Sequence, residues 1–346
     1  MTNSTLNLRH NLILAIALLA LSTPLLACTP AAPPTVTPAA TVHPTTHPER
    51  HEVILSMGFI PNVQFAPFYV AVEKGYFAEE GIDLQFDYGM ESDLLKLVGT
   101  GGRQFVVGSG DQVLLARSQG LPVVYVMNWY RKFPIAVVAL GDWFREPADL
   151  EGHTVGIPGL FGASYVGWQA LAYSSGLDDR KVQIETIGFT QVASLTEGKV
   201  EAAVVYAANE PLQLRQAGYE PHALYVSDYA DLVANGLITN EETIANEPNL
   251  VAGMVRASLR GLTDTLADPE GAFDLVLRHV PEAGGENRQA QMAVLNESLK
   301  FWHSEALGVS NPESWVASET FMRESGLLTA PVDVGQAYTN RFVSER

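Results

Sequence analysis

The run Phe59-Ile60-Pro61-Asn62-Val63-Gln64-Phe65-Ala66-Pro67-Phe68-Tyr69-Val70-Ala71-Val72-Glu73-Lys74-Gly75-Tyr76-Phe77 sets two amide side chains among aromatic rings at the start of one short helix. Rings suit a buried core. Asn and Gln do not, because a buried amide costs free energy unless its donors and acceptor find partners. The run lies between two apolar stretches, Val53–Met57 and Ile82–Tyr88, that read as strands. A strand, a helix over Ala66–Lys74 and a second strand make the opening of an α/β layer.

The same alternation continues outward. Helix Asp93–Val98, strand Phe105–Gly108, helix Gln112–Ser118 and strand Val123–Asn128 complete a first set. A second set begins near Gly152, with strand Thr154–Ile157, helix Ser164–Ser174, strand Val182–Ile187, helix Gln191–Glu197, strand Ala202–Tyr206 and helix Pro211–Gln216. After Asn235 the chain turns mostly helical, with amphipathic segments at Asn249–Leu266, Glu270–Val280, Asn287–Phe301 and Pro312–Ser325. The pattern predicts parallel α/β layering in two lobes, with the C-terminal helices returning to the first. Lobe 1 is expected over 51–139 and 233–346 and lobe 2 over 140–232, joined near Val138–Gly141 and Asp228–Val233. Ligands of open α/β sheets bind beyond the carboxyl ends of the strands, so a cleft between the lobes should be lined by the loops that follow each strand.

The ends and the charge bound the partners. The chain has 346 residues, is 47% hydrophobic and carries a net charge of −18, which repels nucleic acid and anionic membrane surfaces. Arg9 and His10 precede an apolar run, Leu12–Leu21, that is short for a membrane span and reads as the core of a secretory signal. The run closes on Leu25-Leu26-Ala27-Cys28, which resembles the lipobox of bacterial lipoproteins and uses the one cysteine in the chain. Residues 1–27 are therefore expected to be a signal peptide and Cys28 a lipidation site. Residues 28–50, rich in Pro, Thr and Ala, cannot bury a core and read as an extended tether. His43, His47 and His51 recur at every fourth position, but the intervening prolines prevent a helix that would gather them on a metal.

Each strand-end loop admits a local and a functional reading. Asn62 can cap a turn while Phe65 enters the core, yet Gln64 offers a donor and an acceptor suited to an imide or pyrimidine edge. In Gly108-Ser109-Gly110-Asp111-Gln112, Ser109 and Gln112 have capping-box spacing, and Asp111 is an acceptor at the expected cleft. Trp129 and Tyr130 end the fourth strand near the crossing between lobes. In Gly159-Leu160-Phe161-Gly162-Ala163-Ser164-Tyr165 the glycines permit close backbone approach, Phe161 and Tyr165 are flat surfaces, and Ser164 can cap a helix. In Tyr206-Ala207-Ala208-Asn209-Glu210-Pro211, Asn209 reads as an N-cap and Glu210 as a dipole-compensating acid. No HExxH, spaced cysteine set, nucleophile elbow or phosphate-cradling GxxxxGK is present.

In this order, from about Val53 to Asn240, the loops resemble the thiamine-pyrimidine-synthase-like family of solute-binding proteins, relatives of the nitrate, sulfonate and taurine binders of ABC importers. The resemblance rests on Pro61-Asn62 through FYVAVEKGYFAEEGIDL, on Phe105-Val106-Val107-Gly108 and on Pro147-Ala148-Asp149-Leu150-Glu151-Gly152. Enzymes of the family carry a cysteine-rich iron-binding motif that this chain lacks, so the resemblance implies a binder and no catalytic residue, cofactor or metal. The segments PNVQFAPFYVA, GSGDQVLLARSQGLPVVYV, GIPGLFGASY and YAANEP look like the riboflavin-binding lipoproteins of a vitamin importer. The resemblance implies a bilobed type II periplasmic-binding-protein fold and riboflavin as transported ligand, with a thiamine-precursor pyrimidine or a sulfonate as the alternative. It implies a monomer that serves an ABC permease and its ATPase from the outer face of the cytoplasmic membrane or the periplasm. An isoalloxazine wants flat faces, which Phe65, Trp129, Phe161, Tyr165 and Tyr206 can offer, and polar partners, which Gln64, Asp111, Asn209 and Glu210 can offer. Asn62, Ser109, Tyr130 and Ser164 complete the expected ligand-binding set.

Overall fold

The computed structural model describes residues 50–344. The expected signal peptide, Cys28 and all but the last residue of the tether lie outside the described residues. Two five-stranded sheets organise the rest. The first has the order β2-β1-β3-β10-β4, built from β1 (His51–Met57), β2 (Ile82–Tyr88), β3 (Phe105–Ser109), β4 (Val123–Asn128) and β10 (Asn235–Asn240). The second has the order β7-β6-β8-β5-β9, built from β5 (Ile135–Leu140), β6 (Thr154–Ile157), β7 (Gln183–Thr186), β8 (Ala202–Tyr206) and β9 (Pro221–Tyr225). The middle strand β3 is buried at every position, as a strand covered by helices on both faces must be. The helices Ala66–Glu73, Glu91–Gly99, Gly110–Ser118, Gly162–Ser175, Gln191–Thr196 and Glu210–Gln216 join the strands.

The sheets are mixed, which corrects the expectation of parallel layering. β1 runs parallel to β2 and β3, but β10 lies antiparallel between β3 and β4, with Leu237 opposite Val107 and Met127. In the second sheet β5 is antiparallel to both β8 and β9. β5 and β10 each enter their sheet directly after a crossing, and an antiparallel neighbour needs no crossover helix, so counting strand–helix alternations passes over both.

The chain changes sheet over residues 129–134 and again over 226–234. The joint expected at Val138–Gly141 falls largely inside β5, so the first crossing comes earlier. The joint expected at Asp228–Val233 lies within the second crossing.

The C-terminal helices pack onto the first sheet's layer. Helix Pro248–Ala267 crosses helix Ala66–Glu73 so closely that a Cβ on Gly261 would sit 2.0 Å from the Pro67 carbonyl oxygen. The Arg256 guanidinium forks onto Glu80 at 3.0 and 2.6 Å. Helix Arg288–Trp302 contacts both the turn Val63–Phe65 and helix Glu210–Gln216, and so touches the sides of both sheets. In helix Pro312–Glu324, Ser318 Oγ accepts a hydrogen bond from the Val233 amide at 3.0 Å and pins the second crossing. Among the described residues no helix is long and apolar enough to cross a membrane.

Candidate functional site

A cavity of about 310 Å³ lies between the two sheets, lined by loops at the strand ends of both. That volume is at the lower end of the roughly 300–1,000 Å³ usual for small-molecule sites. From the first sheet the loop after β1 enters first. Asn62 adopts extended backbone and its Oδ1 accepts from the Gln64 amide at 2.9 Å, so the local capping reading holds. The cap turns Gln64 inward, where its Nε2 donates to Tyr130 Oη at 3.4 Å and Ser298 Oγ at 3.3 Å. Gln64 and Asn62 both line the cavity, and so does Phe65.

Trp129 is the floor. It is 2% exposed and its ring meets Phe65, Phe68, Tyr130 and Trp302 at centroid distances of 5.8, 5.2, 4.7 and 5.4 Å. A ring so enclosed holds the cavity's shape. The rings that offer open area are elsewhere: Phe161, 53% exposed, and Phe189, 64% exposed. Phe161 lies against Gly159, where a Cβ would come 2.3 Å from the ring, and the residue after it, Gly162, has φ +70. Phe189 meets Phe59 edge-on at 5.6 Å, and both line the cavity. This is a contact between the loop after β1 and the loop after β7.

Carboxyl groups stand on both sides. Glu91, at the start of the helix after β2, accepts from the Ser109 hydroxyl at 2.7 Å and from the Ser109 backbone amide. Ser109 therefore does not cap its helix with its side chain. Asp111 lies behind, 1% exposed, taking one donor from Gln112 Nε2 at 2.8 Å and leaving Oδ1 without a partner. Burial pushes both acids above the usual carboxylate range, and the nearby charge of Asp111 raises Glu91 further against the two Ser109 donors. Across the cavity Glu210 accepts from the Tyr206 amide at 2.9 Å and from Asn209 Nδ2 at 3.3 Å. Burial outweighs these donors, and its pKa is pushed up to about 7. Asn209 precedes helix Glu210–Gln216 but makes no side-chain cap; its Oδ1 accepts from Gln213 Nε2 at 2.9 Å.

Two polar atoms on lining residues are buried without partners, the donor Nε1 of Trp129 and the acceptor Oδ1 of Asn235. Tyr206 also lines the cavity, and its hydroxyl is raised by burial first and then by the charge of Glu91.

Of the residues expected from sequence, Ser109 and Asp111 sit behind the wall, and Tyr165 lines a neighbouring recess with Leu95, Leu115 and Leu160. The other ten line the cavity, including Ser164, which lies within the first turn of a helix that starts at Gly162. Sequence reasoning passed over Phe59, Tyr88, Met90, Glu91, Phe189, Gln191 and Asn235. Most of them follow β1, β2 and β7, so the strand-end rule applied to every strand would have found them. Asn235 opens a strand that the alternation did not reveal.

Residues 62–272 match the family described as NMT1/THI5 like. The chain is 49% identical over 301 residues to riboflavin-binding protein RibY of Chloroflexus aurantiacus, covering 84% of this chain and 86% of that protein. It is 29% identical over 300 residues to formylaminopyrimidine-binding protein of Halalkalibacterium halodurans, covering 83% and 89%. Among solved structures, the periplasmic aliphatic sulphonate binding protein SsuA of Escherichia coli superposes with a TM-score of 0.68 at 12% identity, covering 83% of this chain and 91% of that one. This likeness shows the fold alone: two mixed α/β lobes with a helical C-terminal part, as in periplasmic binding proteins. With the family matched across most of the described residues and near-half identity to one relative, the chain belongs to the NMT1/THI5-like family.

Proposed function

We propose that this protein is the extracytoplasmic solute-binding component of an ABC importer and that its solute is riboflavin. The observation that carries the reading is the 49% identity, over 84% of this chain, to a protein named riboflavin-binding protein RibY. The chemistry of the cavity supports it. An isoalloxazine is flat, wide and neutral, and the half-exposed rings of Phe161 and Phe189 can cover its faces. Its imide edge presents one N–H between two carbonyls, which suits an acceptor and a donor such as the unpartnered Asn235 Oδ1 and Trp129 Nε1. Asn209, Glu210 and Gln191 line the cavity and can partner ribityl hydroxyls.

A ligand that touches both lobes makes all its contacts only when they are closed, so binding favours the closed form by differential affinity. The crossings 129–134 and 226–234 are the hinge, with lobe 1 formed by β1–β4, β10 and the C-terminal helices and lobe 2 by the chain between the crossings. The protein binds and releases without catalysis. A lipid on Cys28 holds it as a monomer at the outer face of the cytoplasmic membrane, where it hands its ligand to the permease and its ATPase. Thermal unfolding tests the ligand. Riboflavin should raise the midpoint in a concentration-dependent way. Stabilisation by a formylaminopyrimidine and none by riboflavin would refute the reading.

A further inference from the structure

We propose that the cavity sorts solutes by charge, admitting the neutral ligand and disfavouring its anionic derivatives, because carboxyl groups stand on two of its walls and no cationic side chain is among the described residues that line it. The inference rests on the riboflavin reading and deepens it. An anion entering a cleft of this kind would need backbone amides at helix starts or a cationic side chain. At the start of helix Gly110–Ser118 the Ser109 amide and hydroxyl are already given to Glu91. At the end of β8, ahead of helix Glu210–Gln216, the Tyr206 amide is given to Glu210, which also accepts from Asn209 Nδ2. Asp111 adds a third acid behind the first.

No Lys, Arg or His is among the described residues that line the cavity. Lys96 lines only the neighbouring recess and faces Asp93, while Arg131 beside the floor pairs with Asp231 at 3.2 Å. What the lining leaves open, Asn235 Oδ1 and Trp129 Nε1, is one acceptor and one donor for a neutral polar edge. A phosphate ester brought to this cavity meets carboxyl groups on two walls and finds the backbone amides of Ser109 and Tyr206 already taken. Helices Gly162–Ser175 and Gln191–Thr196 also start at the cavity, and neither carries an acid in its first turn.

Burial holds Glu91 and Glu210 above the usual carboxylate range, so the test belongs at pH 8, where both are charged. Fluorescence titration of the intact protein should compare riboflavin, riboflavin 5′-phosphate and the neutral riboflavin 5′-acetate. The phosphate should bind on the order of tenfold or more weakly than riboflavin, by the scale of charge repulsion at a few ångströms to about 10 Å. The acetate should bind within about threefold of riboflavin, since it adds bulk without charge. In Glu210→Gln and in the double variant with Glu91→Gln the gap between phosphate and riboflavin should narrow stepwise. Equal affinities of riboflavin and its phosphate, rejection of the acetate as strongly as the phosphate, or an unchanged gap in folded double variant would overturn the inference while leaving the riboflavin reading intact. Failure of every flavin to bind would instead sink that reading, and this inference with it.

Discussion

Replacing Phe161 by Ala separates a ring held for a ligand from a ring held for the fold. Phe161 is 53% exposed, and its clearest neighbour is the bare backbone of Gly159. Full burial of a Phe side chain stabilises by about 1.5–3 kcal/mol, so removing a ring that is half in water should cost the free protein about 1 kcal/mol. In the proposed complex the same ring would be covered by the flavin. Stacking of a flat heterocycle on an aromatic side chain contributes about 1–3 kcal/mol, which predicts a Kd raised about 5- to 150-fold. Titration by quenching of riboflavin fluorescence measures the second number, and chemical unfolding without ligand measures the first. A Kd within twofold of wild type would refute the stacking role. A loss of several kcal/mol in the free protein would refute the claim that the ring is not structural.

Trp129→Ala should behave in the opposite way. With 2% exposure and four neighbouring rings, its loss should destabilise the free protein by about 3–5 kcal/mol, read by chemical unfolding; a variant that unfolds like wild type and loses only ligand affinity would contradict the floor assignment. Glu210 sets a pH dependence: an unfolded glutamate titrates near 4.5 and the folded one near 7, so the native state holds the proton more tightly and Glu210's contribution to stability falls as pH rises through that window. The stability of wild type minus that of Glu210→Gln should therefore decline between about pH 4.5 and 7, and a flat difference would count against it. Cys28→Ser should release the protein from membranes into the soluble fraction; wild-type protein found wholly soluble would remove the lipid anchor from the account.

How much of this was legible depended on which physical signal each element carries. β1, β2, β6 and β8 are bounded by turn residues and followed by helices, so their apolar runs read directly as strands of an α/β layer. β5, with the sequence Ile135-Ala136-Val137-Val138-Ala139-Leu140, is as apolar as any of them. The sequence puts a joint at Val138–Gly141, over the end of this strand, because no helix separates it from β4 and nothing in a local pattern says that a strand will pair antiparallel with β8 across the sequence. The loops after strands yielded Asn62, Gln64 and Glu210 because amides and acids beside rings ask for partners. Glu91 gives no such signal: next to Ser92 and Asp93 it looks like an ordinary acidic helix start, and only the tertiary approach of Ser109 encloses its carboxyl group. Trp129 was recognised as an aromatic at a strand end, but whether such a ring faces a ligand or four other rings is decided by Phe68 and Trp302, distant in sequence. Tyr165 falls one residue past Ser164, and the helix that begins at Gly162 turns that next position toward the neighbouring recess.

The most direct measurement is a titration of the purified wild-type protein into riboflavin at neutral pH, followed by flavin fluorescence. The account predicts saturable quenching with one ligand bound per chain, not competed by an excess of a formylaminopyrimidine. Fluorescence that stays unchanged at saturating protein, while the aminopyrimidine binds, would contradict it.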